Sequence, residues 1–226
     1  EQALVRTELS SYKTLNDPLL YSYNGVSQFS SSAHYGVSSL LTKLGAGGYC
    51  SGNRYAYSQS TPASMSLFAI KYIISKAATN AGDTTLTEAG RSGESTMYEY
   101  RYHLPIGFMV QGGLEPALTS SNPFHNQAAL LSQMTGLPAD LYEECPEPEV
   151  QSNQGTVYGS YGSYTYESPD GSANLTFTYT CEKDGNYYII PRIEDAGSVT
   201  VMYDAGKAVN FSYKSSQACI LPAGYH

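Results

Sequence analysis

The sequence has no Trp and only 12 Lys and Arg in 226 residues, and its charged residues amount to 14% where an ordinary globular chain has roughly 25%. With so few cations and a net charge of −8, no basic patch exists to neutralise phosphates, which excludes nucleic acid as a partner class. The same balance sets the chain against an anionic membrane surface. Long apolar runs are also missing. The most apolar stretch, Ser66-Leu67-Phe68-Ala69-Ile70-Lys71-Tyr72-Ile73-Ile74, carries Lys71 at its centre and is far short of the roughly 18–20 residues a membrane span needs. The four cysteines, Cys50, Cys145, Cys181 and Cys219, contain no Cys-x-x-Cys pair, so zinc and redox sites of that type are excluded. Two disulfides in three connectivities or four buried thiols remain, with Cys181–Cys219 the favoured bridge. There is no G-x-S-x-G, Walker loop, H-E-x-x-H or EF-hand loop, and the four histidines His34, His103, His125 and His226 stand apart. No metal or other cofactor is expected.

What fills the space left by charge is hydroxyl and amide: 22 Tyr against 6 Phe, with abundant Ser, Thr, Asn and Gln. Apolar residues still reach 41%, enough for a core in one large or two smaller domains. The chain opens at Glu1-Gln2-Ala3-Leu4-Val5 without Met or a signal peptide, as an excised piece of a longer protein would.

The expected fold class is α+β: a mixed α/β domain over residues 1–145, then an antiparallel, jelly-roll-like β-sandwich over 146–226 whose C-terminal end is truncated. Val37, Leu40, Leu41 and Leu44 make one helical face, with Ser31 or Ser32 as N-cap and Gly45 as the stop. Pro62 opens a short helix that runs into a buried strand at Ile70–Ile74. Strands are expected at Met97–Tyr100 and Gly107–Val110. Asn122-Pro123 starts a helix as N-cap and first residue, with Phe124, Leu130, Leu131 and Met134 on its apolar face and Gly136 and Pro138 as its end. The Glu-Glu-Cys-Pro-Glu-Pro-Glu segment at 143–149 reads as extended. Beyond it, turn signals at Pro169-Asp170-Gly171, Asp184-Gly185-Asn186, Asp195-Ala196-Gly197 and Asp204-Ala205-Gly206 separate short strands. Leu175, Phe177, Tyr179 and Cys181 alternate with threonines as a strand with one buried face does, and Val199, Val201 and Tyr203 repeat the pattern.

Candidate chemistry is sparse. Arg6 and Glu8 share a strand face, either as an ion pair or as a grip on a polar ligand. Asp17, Glu88, Glu94 and Glu99 are the carboxylates from which a glycosidase pair would be drawn. Tyr21-Ser22-Tyr23-Asn24 and Tyr55-Ala56-Tyr57 offer aromatic faces for sugar rings, or for packing at a sheet edge. Asn174-Leu175-Thr176 and Asn210-Phe211-Ser212 match the glycosylation pattern within expected strands and are read as chance.

An ordered series of segments carries more. Val5-Arg6-Thr7-Glu8, Asn16-Asp17 and Tyr23-Asn24-Gly25-Val26-Ser27-Gln28-Phe29-Ser30-Ser31 resemble the R-x-E, N-D and YNGISxFSS pattern of YfhO-like bacterial multi-pass membrane proteins. Ser66 to Ser75 resembles that family's LLGIKYIIS strand, with Phe68-Ala69 in place of Leu-Gly. Tyr98-Glu99 followed by Leu104-Pro105-Ile106-Gly107-Phe108-Met109-Val110 is similar to YEN…LPLGFMV, with Tyr100 in place of Asn. Asn122 to Leu131 is similar to NPFENQNALL. These segments lie in order over the first 140 or so residues; the remainder matches in general character.

The resemblance implies an array of membrane helices upstream as this region's own partner, in a family linked to moving sugars from a lipid carrier onto lipoteichoic acid or a related cell-wall polymer. It implies a location on the extracytoplasmic face of the membrane, and a catalytic carboxylate in a loop between early membrane helices, which this chain lacks. It also implies that the chain stops, at Tyr225-His226, before a Trp-containing strand. On this reading the region is non-catalytic and positions the acceptor glycan, with Arg6, Glu8, Asn24, Phe29 and Ser30 as substrate-binding residues. The same Asn24-Gly25 is otherwise a turn, and Phe29 a core anchor. The alternatives are a secreted or surface carbohydrate-binding module, a structural or adhesive domain and, last, a stand-alone glycosidase.

Overall fold

The computed structural model describes residues 4–57, 61–76, 84–115, 118–160, 163–167, 174–190, 198–203, 207–212 and 221–225. Its elements run β1 (Arg6–Leu9), α1 (Asp17–Leu20), β2 (Gln28–Phe29), α2 (Tyr35–Lys43), β3 (Gly47–Ser51), β4 (Arg54–Tyr57), α3 (Pro62–Leu67), β5 (Ile70–Ser75), β6 (Leu86–Ser92), β7 (Ser95–Tyr100) and α4 (Pro123–Thr135). Strands β8 (Glu149–Ser152), β9 (Thr156–Ser160), β10 (Ser163–Glu167), β11 (Leu175–Thr178), β12 (Asn186–Ile189), β13 (Ser198–Tyr203), β14 (Lys207–Ser212) and β15 (Leu221–Tyr225) follow. The fold is α+β and rich in sheet. One compact unit comprises Glu1–Asp140 with Gly185–Tyr225, and the other Leu141–Asp184 with His226.

In the first unit a four-stranded sheet has the order β1-β5-β7-β6, with β1 parallel to β5 and the other neighbours antiparallel. A three-stranded antiparallel sheet has the order β2-β4-β3. The core joins α2 (Leu41, Leu44), β4 (Tyr55, Tyr57), α3 (Met65), β5 (Ile70), β7 (Tyr100) and α4 (Leu130). Four of the buried side chains, Tyr55, Tyr57, Tyr98 and Tyr100, are tyrosines, so this core takes in phenol hydroxyls and must satisfy them. Tyr57 reaches Ser64 Oγ at 3.0 Å and Tyr100 donates to the Pro62 carbonyl at 3.0 Å.

The helices begin and end where their chemistry dictates. Asn122 Oδ1 accepts from Phe124 N at 3.0 Å with Pro123 in the first turn, and Gly136 closes α4 at φ 70°. Thr61 and Ser64 form a reciprocal capping box on α3, the arrangement that satisfies two end donors at once. Gly45, at φ 65°, follows α2. The cap of α2 differs from expectation: it is His34, whose Nδ1 accepts from Gly36 N at 3.0 Å. Ser30 and Ser32 are hydrogen-bonded to each other instead.

Helix α4 buries amides as well as apolar groups. Asn126 Nδ2 donates to the Lys43 carbonyl at 2.8 Å, and Gln127 Nε2 to the Leu44 carbonyl at 2.6 Å. These are end carbonyls of α2, which its own hydrogen bonds leave open. Gln127 Oε1 in turn accepts from Thr61 Oγ1 at 2.8 Å, so one fully buried side chain ties three helices together. Ala69, between α3 and β5, sits at φ 55°, a region that costs a side-chain-bearing residue about 1–2 kcal/mol; the Gly usual at this place in the resembling pattern has a direct steric reason.

Two strand expectations fail. Residues 107–110 form turn and coil: Pro105 and Gly107 interrupt any ladder, and Met109 is 98% exposed. In the second unit β8 pairs with β11 and β9 with β10, both antiparallel, as the alternation of Leu175–Cys181 implies. The expected inner face is nonetheless open, with Phe177 and Tyr179 exposed and Cys181 likewise. A two-stranded ribbon has one neighbour per strand and little to bury a face against. The pairs β12/β15 and β13/β14 are antiparallel too. Cys181 is a free thiol; Cys219, its favoured partner, lies outside the described residues, as do the turn signals at 169–171, 195–197 and 204–206.

Candidate functional site

The three N-terminal motifs converge on one place in the first unit. Strand β1 enters the sheet beside β5 and carries Glu8 inward, to 3% exposure. Its Oε1 accepts the backbone amides of Val26 and Ser27, the latter at 3.1 Å, and its Oε2 accepts from Ser27 Oγ at 3.3 Å. Ser27 Oγ also accepts from Tyr57 N at 3.0 Å, which joins the carboxylate to the second sheet. Burial outweighs these donors and raises the Glu8 pKa above its ordinary value. Gly25 is required by proximity alone: a Cβ there would lie 2.5 Å from Pro18 Cγ and 3.2 Å from Glu8 Oε1.

Asp17, also buried, accepts from Lys13 N at 2.7 Å, Thr14 N at 3.1 Å and Thr14 Oγ1 at 3.2 Å. Asn16 does not cap α1 with its side chain; Oδ1 accepts from Phe29 N at 2.9 Å and pins β2. Both carboxylates act on Tyr23, whose phenol is pushed up to about 12 by burial first and then by Glu8 and Asp17. The five expected binding residues make separate contacts, and none of them lines the depression described below. Arg6 sends Nη1 to the Phe68 carbonyl at 2.8 Å rather than to Glu8. The Asn24 carbonyl accepts from Thr7 N at 2.8 Å, leaving its side chain exposed. Phe29 is exposed under the Arg54 guanidinium, 4.9 Å from its ring centroid. Ser30 N donates to the Asn53 carbonyl at 3.1 Å.

Beside the node, a depression of about 150 Å³ is lined by Leu9, Ser10, Ser11, Lys13, Asp17, Tyr21, Ile74, Ser75, Lys76 and Ser95. Serines, Lys13, Lys76 and the exposed Tyr21 meet the apolar side chains of Leu9 and Ile74 there. Ser10 Oγ donates to Ser75 Oγ at 2.8 Å, and Lys76 lies 3.7 Å from Glu94. Tyr21 was marked by its Tyr-rich loop; the serines and lysines carried no signal, being common residue types brought together from β1, β5 and β7. The carboxylates considered for glycoside cleavage are otherwise engaged: Glu88 with Arg91 at 3.0 Å, Glu99 with Lys71 at 3.2 Å, and Asp17 with backbone amides. No three His, Cys, Asp or Glu side chains are grouped to hold a metal among the described residues.

The profile of a family described as bacterial membrane protein YfhO matches residues 1–225. The chain belongs to the YfhO family. No curated protein and no solved structure matches it. YfhO proteins are bacterial membrane proteins, yet no helix among the described residues is long and apolar enough to cross a membrane. The motif residues of this YfhO region fix a loop to a sheet: Glu8, Asn16 and Asp17 accept from backbone amides, Gly25 leaves room for the Pro18 and Glu8 side chains, and Phe29 faces outward.

Proposed function

We propose that this region is a non-catalytic, extracytoplasmic part of a YfhO-family membrane protein, and that it positions an acceptor glycan or polymer of the lipoteichoic acid type for sugar transfer by the protein's own membrane portion. The observation that carries the reading is the depression beside the Glu8–Asp17 node, on a chain that belongs to a membrane protein family. An aromatic face suits the C–H side of a sugar ring, serine hydroxyls suit its hydroxyls, and Lys13 and Lys76 suit a phosphate as point charges. With a net charge of −8 the chain as a whole repels an anionic polymer, so contact rests on short-range groups and on tethering, which raises the effective concentration of a weak site.

The test is made in the full-length parent. Lys13→Ala with Tyr21→Ala lowers sugar incorporation into the polymer by about tenfold, the equivalent of 1.4 kcal/mol of lost positioning, with the protein's abundance in the membrane unchanged. Unaltered incorporation at equal abundance overturns the proposal.

A further inference from the structure

In the second unit, β8 and β11 pair from Glu149 opposite Thr178 to Ser152 opposite Leu175. Continued without interruption toward Glu143, that register sets Cys145 opposite Glu182 and Cys181 opposite Pro146, with the two cysteines on different faces. The contacts beyond the ladder report another register. Lys183 Nζ donates to both oxygens of Glu143, at 2.8 and 2.7 Å. Tyr164 donates to Glu147 at 3.3 Å while its ring meets Phe177 edge-on at 5.4 Å, so Glu147 lies on the Phe177 side.

Past the end of the ladder, one extra residue on the first segment would account for all of these: with Pro148 looped out, Glu147 would face Tyr179, Cys145 would face Cys181 and Glu143 would face Lys183. Proline has no amide to give a ladder and is tolerated in a sheet at such bulges. The electrostatics agree: after burial, Cys181 and Glu143 are the groups that raise the Cys145 thiol pKa, and Cys145 is the group that raises Tyr179.

The geometry points to a disulfide between Cys145 and Cys181 that closes the second unit on itself. Residues directly opposite in an antiparallel pair have Cα atoms about 4.5–5.5 Å apart, inside the roughly 4.4–6.8 Å a disulfide spans. Both sulfurs are free thiols as they stand, Cys181 exposed and Cys145 half-buried. Bridging therefore takes a two-electron oxidant, here a small-molecule disulfide such as oxidised glutathione. The exposed Cys181 thiolate attacks one glutathione sulfur and expels the other as a thiolate. The Cys145 thiolate then attacks the Cys181 sulfur of the mixed disulfide and expels the second glutathione. Two thiol protons leave the protein and two reduced glutathiones are formed. The pairing departs from the Cys181–Cys219 bridge favoured by sequence, because neighbours in the sheet, rather than residence in the β-rich half, decide which thiols meet.

The experiment is oxidation of the whole folded chain with oxidised glutathione, alkylation of remaining thiols, digestion with a glutamyl protease and mass spectrometry without reductant. Trypsin does not serve, since no Lys or Arg lies between the two cysteines. The expected product joins peptide 145–149 to peptide 168–182 and is lost on reduction. Cys145→Ser is expected to stop at the first step, leaving glutathione on Cys181. Recovery of both peptides as alkylated thiols from the oxidised native chain overturns the inference, as does Cys181 joined to Cys219 or Cys50.

Discussion

Removing the Glu8 carboxylate frees the loop that follows Tyr23. In Glu8→Ala the amides of Val26 and Ser27 lose their acceptor in a place with 3% exposure, and Ser27 Oγ loses one of its two partners. A buried donor left unpaired costs about 1–3 kcal/mol. Two amides, with the hydroxyl free to rotate, therefore give a loss of roughly 3–5 kcal/mol, a large part of the 5–15 kcal/mol typical of a domain. Glu8→Gln keeps a carbonyl for the amides and an NH₂ for Ser27 Oγ, and is expected to cost about 1 kcal/mol. The pH dependence has a definite sign. Because burial raises the Glu8 pKa above 4.5, the folded chain holds a proton that the unfolded chain has released. Glu8 thus contributes most below its unfolded pKa, and the contribution is lost as pH rises through the folded value. Urea denaturation of wild type, Glu8→Ala and Glu8→Gln from pH 4 to pH 8 checks both statements: the fall in stability above pH 4.5 should flatten in Glu8→Gln. A Glu8→Ala protein within about 0.5 kcal/mol of wild type would refute the reasoning, as would a Glu8→Gln variant with the wild-type pH slope.

Three further changes probe the same framework by urea denaturation. Gly25→Ala drives a methyl into Pro18 and Glu8 and should cost about 2–3 kcal/mol as overpacking. Gln127→Leu strands the buried Leu44 carbonyl and takes one acceptor from Thr61 Oγ1, which keeps its contacts with Ser64, and should cost about 1–3 kcal/mol. Ala69→Gly relieves φ 55° by about 1–2 kcal/mol while losing a buried methyl worth about 0.8 kcal/mol and gaining backbone entropy in the unfolded chain, so it should fall within about 0.5 kcal/mol of wild type. Ala63→Gly, inside α3, should cost well over 1 kcal/mol as the contrasting control.

Local chemistry with a single outcome was legible in the sequence. Asn122-Pro123 and Gly136 bound α4 as expected, Pro62 opens α3, and the β-branched Ile70–Ile74 run becomes β5. Contacts distant in the chain were not. Gln127 carried no signal of its own, and the open carbonyl at the end of α2 is what makes its burial favourable. The ordered motifs located the Glu8 node, but their residue types suggested a ligand grip where the geometry directs Glu8 and Asp17 to backbone amides. The depression was illegible, because Ser10, Lys13 and Ser95 acquire meaning only through the pairing of β1, β5 and β7.

The central claim, that the outward face beside the Glu8–Asp17 node receives an acceptor polymer, is tested most directly by NMR titration of the isotopically labelled chain with a soluble glycerol-phosphate oligomer bearing sugar. The account predicts saturable shifts clustered at Ser10, Ser11, Lys13, Tyr21, Lys76 and Ser95, weakened by salt and absent in the Lys13→Ala, Tyr21→Ala double variant. Saturating oligomer that leaves these six signals unmoved, or shifts of equal size in the double variant, would contradict it.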